Sequence, residues 1–193
     1  LYVGLKALGI GKNDEVIVPD LTFVASPNSV EAVGAKPVLI DIERNSLNLD
    51  LKKIKQNITK RTKAIMPVDF NGRAVDIKNI SELANRYNLS LIEDAAHGLG
   101  CFYGKKHVGT MSDIGIFSFS TPKIITTGQG GMIVTNNKKL YEKCKAMKDF
   151  GRKSGAKRNM RMAFEHPTIG YNFKFTEFQA AIGISQMKKL PKR

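Results

Sequence analysis

Short apolar runs alternate with amphipathic segments along this chain, and the alternation predicts its fold. Continuous apolar runs rich in β-branched residues are typical of strands buried on both faces, whereas apolar residues three or four positions apart indicate helices. The predicted strands are 15–18, 36–42, 64–68, 91–92, 114–119 and 132–135. The predicted helices are 1–8, 27–34, 50–57, 77–87, 138–149 and 176–189. This order predicts an α/β fold with three αβα layers and a mostly parallel sheet in the middle.

The stretch 104–132 departs from this alternation, because two predicted strands follow each other around it without a helix between them. Part of the sheet is therefore predicted to be antiparallel, which makes the sheet mixed. At 193 residues the chain has the size of one domain. It begins at Leu1 rather than Met and stops at Arg193 straight after a predicted helix, so we expect residues 1–193 to be one domain truncated at both ends.

Composition narrows the class of protein. Apolar residues make up 42% of the chain and charged residues 25%, as in soluble globular proteins. No apolar stretch reaches the ~20 residues that span a bilayer, and no signal-peptide pattern opens the chain, so no membrane partner is predicted. Cys101 and Cys144 lack the spacing of a metal site. We interpret them as free thiols of a cytoplasmic protein in a reducing environment.

The chain is strongly basic, with a net charge of +14 from 31 Lys and Arg against 17 Asp and Glu. Most of this charge is spread over predicted helix surfaces, which favours a lysine-rich solvated surface. The one local concentration, 152–161, holds five cations and no acidic residue. It lacks the aromatic residues that stack on single strands, and no zinc or helix-turn-helix signature accompanies it, so no nucleic-acid partner is predicted. A loop that faces a diphosphate is an equally good interpretation.

Lys123 is the first candidate for chemistry. It follows the apolar strand 114–119, and Pro122 directly before it fixes a bend. We expect its stem to emerge from the core, where burial lowers the pKa of an amine and makes it a usable nucleophile. An isolated lysine is usually a surface residue, so this interpretation depends on the residues around it.

Polar residues at the ends of two neighbouring strands supply that surrounding pattern. Asp94 and His97 come just past one apolar strand, at the carboxyl end where open α/β sheets bind ligands. The alternatives are that Asp94 caps a following helix and that His97 is a satisfied core residue. Ser118 and Ser120 share one face of the strand before Lys123, because side-chain direction repeats every two residues.

These groups are the ones that pyridoxal phosphate (PLP) requires. The amine of Lys123 forms a Schiff base, the carboxylate of Asp94 keeps the pyridine nitrogen protonated, and a hydroxyl near backbone amides holds the phosphate. Ser118 is the predicted phosphate ligand. The glycine-rich turn 126–131 has a backbone that can approach a ligand closely, although such turns are common.

Aromatic residues at both ends of the chain complete the candidate site. Phe23 follows the first strand, where its ring either stacks on the pyridine ring or lies in the core. In segment 170–176, Asn172 and Lys174 alternate with aromatic residues, a spacing suited to an interface loop that reaches a ligand. Thr176 is predicted to cap the last helix.

Several short motifs occur together in a characteristic order that spans essentially the whole chain. They are 7–19, 22–25, 94–97, 117–123, 128–131 and 170–172. In order and spacing they resemble the DegT/DnrJ/StrS family of sugar aminotransferases, within the aspartate-aminotransferase-like superfamily. The resemblance implies the large domain of fold type I of the PLP-dependent transferases.

The same resemblance assigns roles to individual residues. It implies that Lys123 carries the cofactor, that Asp94 contacts its pyridine nitrogen and that Ser118 binds its phosphate. It also implies that His97 lies near the ring oxygen and that Phe23 lies against the ring face.

The resemblance further implies the reaction and the assembly. Family members take an amino group, usually from L-glutamate, to a keto group of a nucleotide-diphosphate-linked deoxysugar, and Lys123 would shuttle the proton. A homodimer with shared active sites is implied, in which the loop around Asn172 or Lys174 reaches the partner's cofactor. The family's phosphate loop is expected before Leu1, and its small C-terminal domain after Arg193.

Two departures from the family pattern and two alternatives stay open. Gln129 stands where glutamate is more usual, and 69–72 replaces a more common His-containing turn. We expect both to bear on the acceptor sugar rather than on the central chemistry. One branch of the family has histidine in place of the lysine and dehydrates sugars, and Lys123 argues against that branch. A non-catalytic, regulatory PLP-fold homologue is the other alternative.

Overall fold

The computed structural model describes residues 1–152 and 166–192, and its helices and strands follow the predicted order. The strands are β1 Glu15–Pro19, β2 Lys36–Ile40, β3 Thr62–Ile65, β4 Ser90–Asp94, β5 Phe102–Tyr103, β6 Lys106–His107, β7 Ile114–Ser118 and β8 Gly131–Val134. The α-helices are α1 Tyr2–Ala7, α2 Ala25–Ala32, α3 Leu51–Gln56, α4 Ile77–Arg86, α5 Lys138–Met147 and α6 Glu177–Met187. Short 3-10 helices cover Phe70–Gly72 and Leu190–Lys192.

Six of the strands form one mixed sheet in the order β2-β1-β3-β4-β7-β8. The first five run parallel, and β8 pairs antiparallel with β7, so the prediction of a mostly parallel mixed sheet is confirmed. The two-stranded hairpin β5-β6 lies outside this sheet. β5 and β6 were not predicted, because two residues are too few to show a strand period.

Alternate residues of the central strands enter two separate apolar cores, one on each face of the sheet. Val16 and Val18 of β1 pack with α1, α2 and α5, whereas Ile17 between them packs with α3 and α4. β1 is buried at all five positions, and its sequence after Glu15 is an unbroken apolar run. The sheet therefore has a layer of helices packed on each of its faces, which gives the three αβα layers and confirms the predicted fold class.

The predicted boundaries differ from the observed ones by a few residues. The second strand ends at Ile40 rather than at 42, and the third covers Thr62–Ile65 rather than 64–68. Beyond β3, Val68 pairs with Asp94 of β4 through one isolated parallel bridge. The predicted cap of the last helix is confirmed, because Thr176 and Gln179 form a capping box.

The topology brings several loops to one edge of the sheet. The carboxyl ends of β1, β4 and β7 lie along this edge, because these strands are parallel. Open α/β sheets bind ligands there, and the predicted site residues follow these same strands. No helix within the described part of the chain is long and apolar enough to cross a membrane.

Candidate functional site

A cavity of about 1500 Å³ opens at the carboxyl edge of the sheet. Of the seven side chains that the sequence predicts for the site, six line this cavity and one does not. The six are Phe23, Asp94, His97, Ser118, Lys123 and Lys174. Its walls thus combine an amine, a carboxylate, an imidazole, a hydroxyl and an aromatic ring.

Lys123 is half-buried in the turn that follows β7. Its backbone N–H donates to the carbonyl oxygen of Ser120 at 3.1 Å, which closes the turn around Pro122. Burial lowers the pKa of the Lys123 amine below its ordinary value, and the negative charge of Asp94 opposes part of that effect. Lys123 thus emerges from the core as expected, and its surroundings favour the expected downward shift of its pKa.

Asp94 ends β4 with a buried carboxylate that is held from two sides. Ser26 Oγ donates to Asp94 Oδ2 at 2.8 Å, and the backbone N–H of Ala96 donates to Oδ1 at 3.1 Å. The segment after Asp94 forms turns rather than a helix, so the helix-cap alternative is wrong. Both bonds fix the carboxylate at the cavity wall without neutralising its charge.

His97 is half-buried at the same wall and is oriented by the turn that contains Asn71. The backbone N–H of Asn71 donates to His97 Nδ1 at 3.3 Å, a bond that requires Nδ1 to be unprotonated. Burial and then the positive charge of Lys123 lower the pKa of His97, whereas Asp94 raises it. The imidazole is therefore biased toward its neutral form. The 69–72 turn, which was expected to bear on the acceptor alone, also contacts this candidate site residue.

Ser118 and Ser120 lie together as the strand period predicted. Ser118 Oγ donates to Ser120 Oγ at 3.2 Å and accepts from the backbone N–H of Ser120 at 3.3 Å. Both hydroxyls line the cavity. A hydroxyl in this position can turn its hydrogen toward an incoming anion, because its present partner is itself a hydroxyl.

Phe23 is exposed over 69% of its surface and lines the cavity, so the alternative of an ordinary core phenylalanine is wrong. At the other end of the chain, Lys174 Nζ lies 3.3 Å from Asp149 Oδ1 and 4.1 Å from the centre of the Phe150 ring. Asn172 forms a backbone bridge with Asp149 and is the predicted site residue absent from the cavity wall.

Ser26 is the clearest site residue that sequence reasoning missed. It lies three positions after Phe23 in the first turn of α2, and its side chain is buried. Thr22 Oγ1 lies 2.9 Å from Ser26 Oγ, so the two hydroxyls form a chain that leads to Asp94. No periodic signal marks Ser26, because its partner is 68 residues away in the sequence.

The described residues fit PLP by the chemistry of their donor set. Lys123 offers a partly desolvated amine, Asp94 a carboxylate with two fixed donors, and Ser118 a hydroxyl for an anion. Phe23 offers an exposed ring face at the same cavity. The basic run 152–161, for which a loop that faces a diphosphate was one of two interpretations, lies outside the described residues apart from Arg152.

Comparison with known proteins gives a consistent result. The family profile described as the DegT/DnrJ/EryC1/StrS aminotransferase family matches residues 1–193. GDP-perosamine synthase of Caulobacter vibrioides is 47% identical over 190 residues, which cover 98% of this chain and 50% of that protein. The spore coat polysaccharide biosynthesis protein SpsC of Bacillus subtilis is 37% identical over 194 residues, with 98% and 50% covered.

Solved structures agree with the sequence relatives. The aminotransferase from Psychrobacter cryohalolentis superposes with a TM-score of 0.94 at 39% identity, over 99% of this chain and 50% of that one. PseC of Helicobacter pylori, an aminotransferase involved in pseudoaminic acid biosynthesis, superposes with a TM-score of 0.90 at 34% identity. The match covers 99% of this chain and 51% of PseC. The chain thus spans about half the length of these relatives.

Proposed function

This chain belongs to the DegT/DnrJ/EryC1/StrS aminotransferase family, and we propose that it is the cofactor-binding part of a PLP-dependent nucleotide-sugar aminotransferase. The reaction moves an amino group, from L-glutamate as donor, to a keto group of a nucleotide-diphosphate-linked deoxysugar. Relatives named GDP-perosamine synthase favour a GDP-linked acceptor. PLP is expected throughout this family.

One observation carries the proposal: Lys123 and Asp94 line the same cavity, close enough for the carboxylate to raise the pKa of the amine. PLP, when bound, supplies the electron sink that lets a proton leave the carbon bearing the amino group. A lysine for the covalent link and a carboxylate for the ring nitrogen are the two protein groups that this chemistry needs.

Each residue of the site then has a distinct task. Lys123 Nζ takes the proton from the donor's α-carbon, and in the second half of the reaction it delivers a proton to the sugar carbon that receives the amino group. Its lowered pKa keeps more of the amine uncharged and able to accept a proton. Asp94 presents a fixed negative charge to the protonated ring nitrogen. Ser118 donates to the phosphate, and the exposed face of Phe23 covers the ring.

His97 and the C-terminal segment complete the proposed site. His97 Nδ1 is occupied by the Asn71 N–H, so the Nε2 side of the ring is left to contact the ring oxygen of the cofactor. Asn172 and Lys174 belong to an exposed segment. We assign to the protein a homodimer with shared active sites, in which the loop around Asn172 or Lys174 reaches the partner's cofactor. In this scheme residues 1–193 form the large domain of a longer protein that adds a small C-terminal domain.

The first experiment locates the cofactor-linked lysine without any substrate. The full-length protein is incubated with PLP, reduced with borohydride and digested, and the pyridoxyl-labelled peptide is identified by mass spectrometry. We expect the label on Lys123. Lys123→Ala should lose it and lower the amino-transfer rate by at least about two orders of magnitude, the usual scale for a missing proton-transfer group.

Lys105→Ala is the matched control, because Lys105 is an exposed lysine in the β5-β6 turn. It should keep both the label and the rate. Label on another lysine, or a full rate in Lys123→Ala, would overturn the assignment. GDP-, UDP- and dTDP-linked ketosugars are then compared as acceptors with L-glutamate as donor. Labelling of Lys123 without transfer to any acceptor would favour the regulatory alternative, and loss of water from the sugar would favour the dehydratase alternative.

A further inference from the structure

Two acidic side chains that the proposed reaction does not use lie buried beside the site. Asp69, at the end of the segment after β3, and Glu93, in β4, both have no solvent exposure. Within residues 1–152 and 166–192, no salt bridge reaches either carboxyl group. Two ionised carboxylates without a cation are strongly disfavoured in such surroundings.

Each of the two carboxyl groups has one oxygen that accepts a hydrogen bond and one oxygen that does not. The backbone N–H of Val75 donates to Asp69 Oδ1 at 3.0 Å, and Ser112 Oγ donates to Glu93 Oε2 at 3.2 Å. Asp69 Oδ2 and Glu93 Oε1 are buried and receive no donor. A single proton held between these two oxygens would satisfy both at once.

Electrostatics gives the same picture. Burial, followed by the charge of Glu93, raises the pKa of Asp69 to about 8, and a hydrogen bond between the two carboxyl groups contributes to the shift. Burial also raises the pKa of Glu93, whereas hydrogen bonds from the Gly109 backbone and with Asp69 lower it. Both carboxyl groups are therefore shifted toward their protonated forms by burial. The other titratable groups around the pair are Asp94, Cys101 and His107.

The pair is joined to the site by short backbone connections. The backbone N–H of Asp69 donates to the carbonyl oxygen of Asp94 at 3.1 Å, and the Asn71 N–H two residues later donates to His97 Nδ1. Glu93 directly precedes Asp94 in β4. A displacement of Asp69 from Glu93 would thus move the backbone N–H groups that bond to the Asp94 carbonyl oxygen and to His97 Nδ1.

We propose that Asp69 and Glu93 share one proton as a hydrogen-bonded acid–carboxylate pair, and that this pair positions Asp94 and His97. The shared proton removes one of the two negative charges that the pair would otherwise hold next to Asp94. Asp69 and Glu93 are positioning residues, since neither lines the cavity.

The test uses the full-length protein without cofactor, so its outcome does not depend on the proposed reaction. Difference infrared spectroscopy at pH 6.5 should show the C=O stretch of a buried protonated carboxyl group, and this band should vanish reversibly as the pH rises through about 8. Asp69→Asn should lack the band, because the asparagine amide donates to Glu93. Glu93→Gln should lack it as well, because the glutamine amide donates to an ionised Asp69.

Thermal and urea unfolding across pH 5–9 provide the second readout. Because the folded state holds a proton that the unfolded chain has released between pH 3.8 and about 8, stability should fall as the pH rises through this window. The unfolding constant should rise by up to about tenfold per pH unit. Asp69→Asn and Glu93→Gln should flatten this dependence, whereas Glu82→Gln, at an exposed acid of α4, should leave the dependence and the band unchanged.

Absence of the band in the unmodified protein would overturn the proposal, and this measurement needs no variant to fold. A band that persists in both Asp69→Asn and Glu93→Gln would also overturn it, because the protonated group would then lie elsewhere. A band lost in both variants, together with the flattened pH dependence, supports it.

Discussion

The bond between Ser26 and Asp94 should be a measurable contribution to the stability of the site. Ser26 Oγ donates to Asp94 Oδ2 at 2.8 Å, and both residues are at most 4% exposed. Ser26→Ala removes this donor and leaves one oxygen of a buried carboxylate without a partner. Hydrogen bonds to charged groups contribute about 1.5–3 kcal/mol, so we expect the free energy of unfolding to fall by about that amount.

For a domain of this size, such a loss lowers Tm by about 3–12 °C. The assay is a double-mutant cycle with Ser26→Ala, Asp94→Ala and the double variant, each unfolded in urea at pH 7. The cycle isolates the pair, and its coupling energy should be about 1.5–3 kcal/mol. Ser46→Ala combined with Asp94→Ala is the control, because Ser46 bonds only to the nearby Asn48 N–H and should show no coupling.

A Ser26–Asp94 coupling energy within about 0.3 kcal/mol of zero would refute the reasoning. It would mean that the hydroxyl does not hold the carboxylate, and that Asp94 is positioned by the Ala96 N–H and the strand alone.

Two further predictions concern the scaffold. Gly115→Ala in β7 should lower the free energy of unfolding by more than about 3 kcal/mol, because the added Cβ would overlap the carbonyl oxygen of Gly109. Gly11→Ala is the control and should change it by less than about 1 kcal/mol, since the atom nearest to its Cβ would be 3.7 Å away. Both values are measured by urea unfolding, and an equal cost for the two variants would contradict the packing argument. Hydrogen bonds from Thr59 and then from Arg61 outweigh the effect of burial and lower the pKa of Glu15. The stabilising contribution of Glu15 is therefore fully present above its ordinary pKa of 4.5, and it is lost as the pH falls through the pKa of the folded state. Arg61→Gln should therefore reduce stability at pH 7 by up to about 1 kcal/mol and by less at pH 3, and a deficit that grows on acidification would disprove this sign.

Much of the fold could be predicted from hydrophobic periodicity, because the central strands are buried on both faces. The four consecutive apolar residues of β1 and the single-sided pattern of α4 left little ambiguity. The hairpin β5-β6 and the ends of β2 and β3 could not be predicted, because turns and single bridges leave no repeating pattern.

The candidate site divides in a similar way. Lys123, Asp94 and Ser118 could be found from sequence, because each follows a strand whose end can be located from its apolar run. Ser26 could not be found, because its role comes from a contact with a residue far along the chain. Asn172 was expected at the ligand and lies away from the cavity wall, where only a partner subunit would give it the proposed role.

The sequence by itself determined the class of fold and the kinds of reactive group, because burial on both sheet faces imposes apolar runs and parallel strands align the residues that follow them. Only the tertiary structure decided how those groups are held: which hydroxyl fixes Asp94, which amide occupies His97 Nδ1, and that Asp69 and Glu93 are both fully buried. The physical reason is that protonation and hydrogen bonding depend on burial and on the distances between atoms that are far apart in the chain. Neither quantity can be read from a short stretch of sequence.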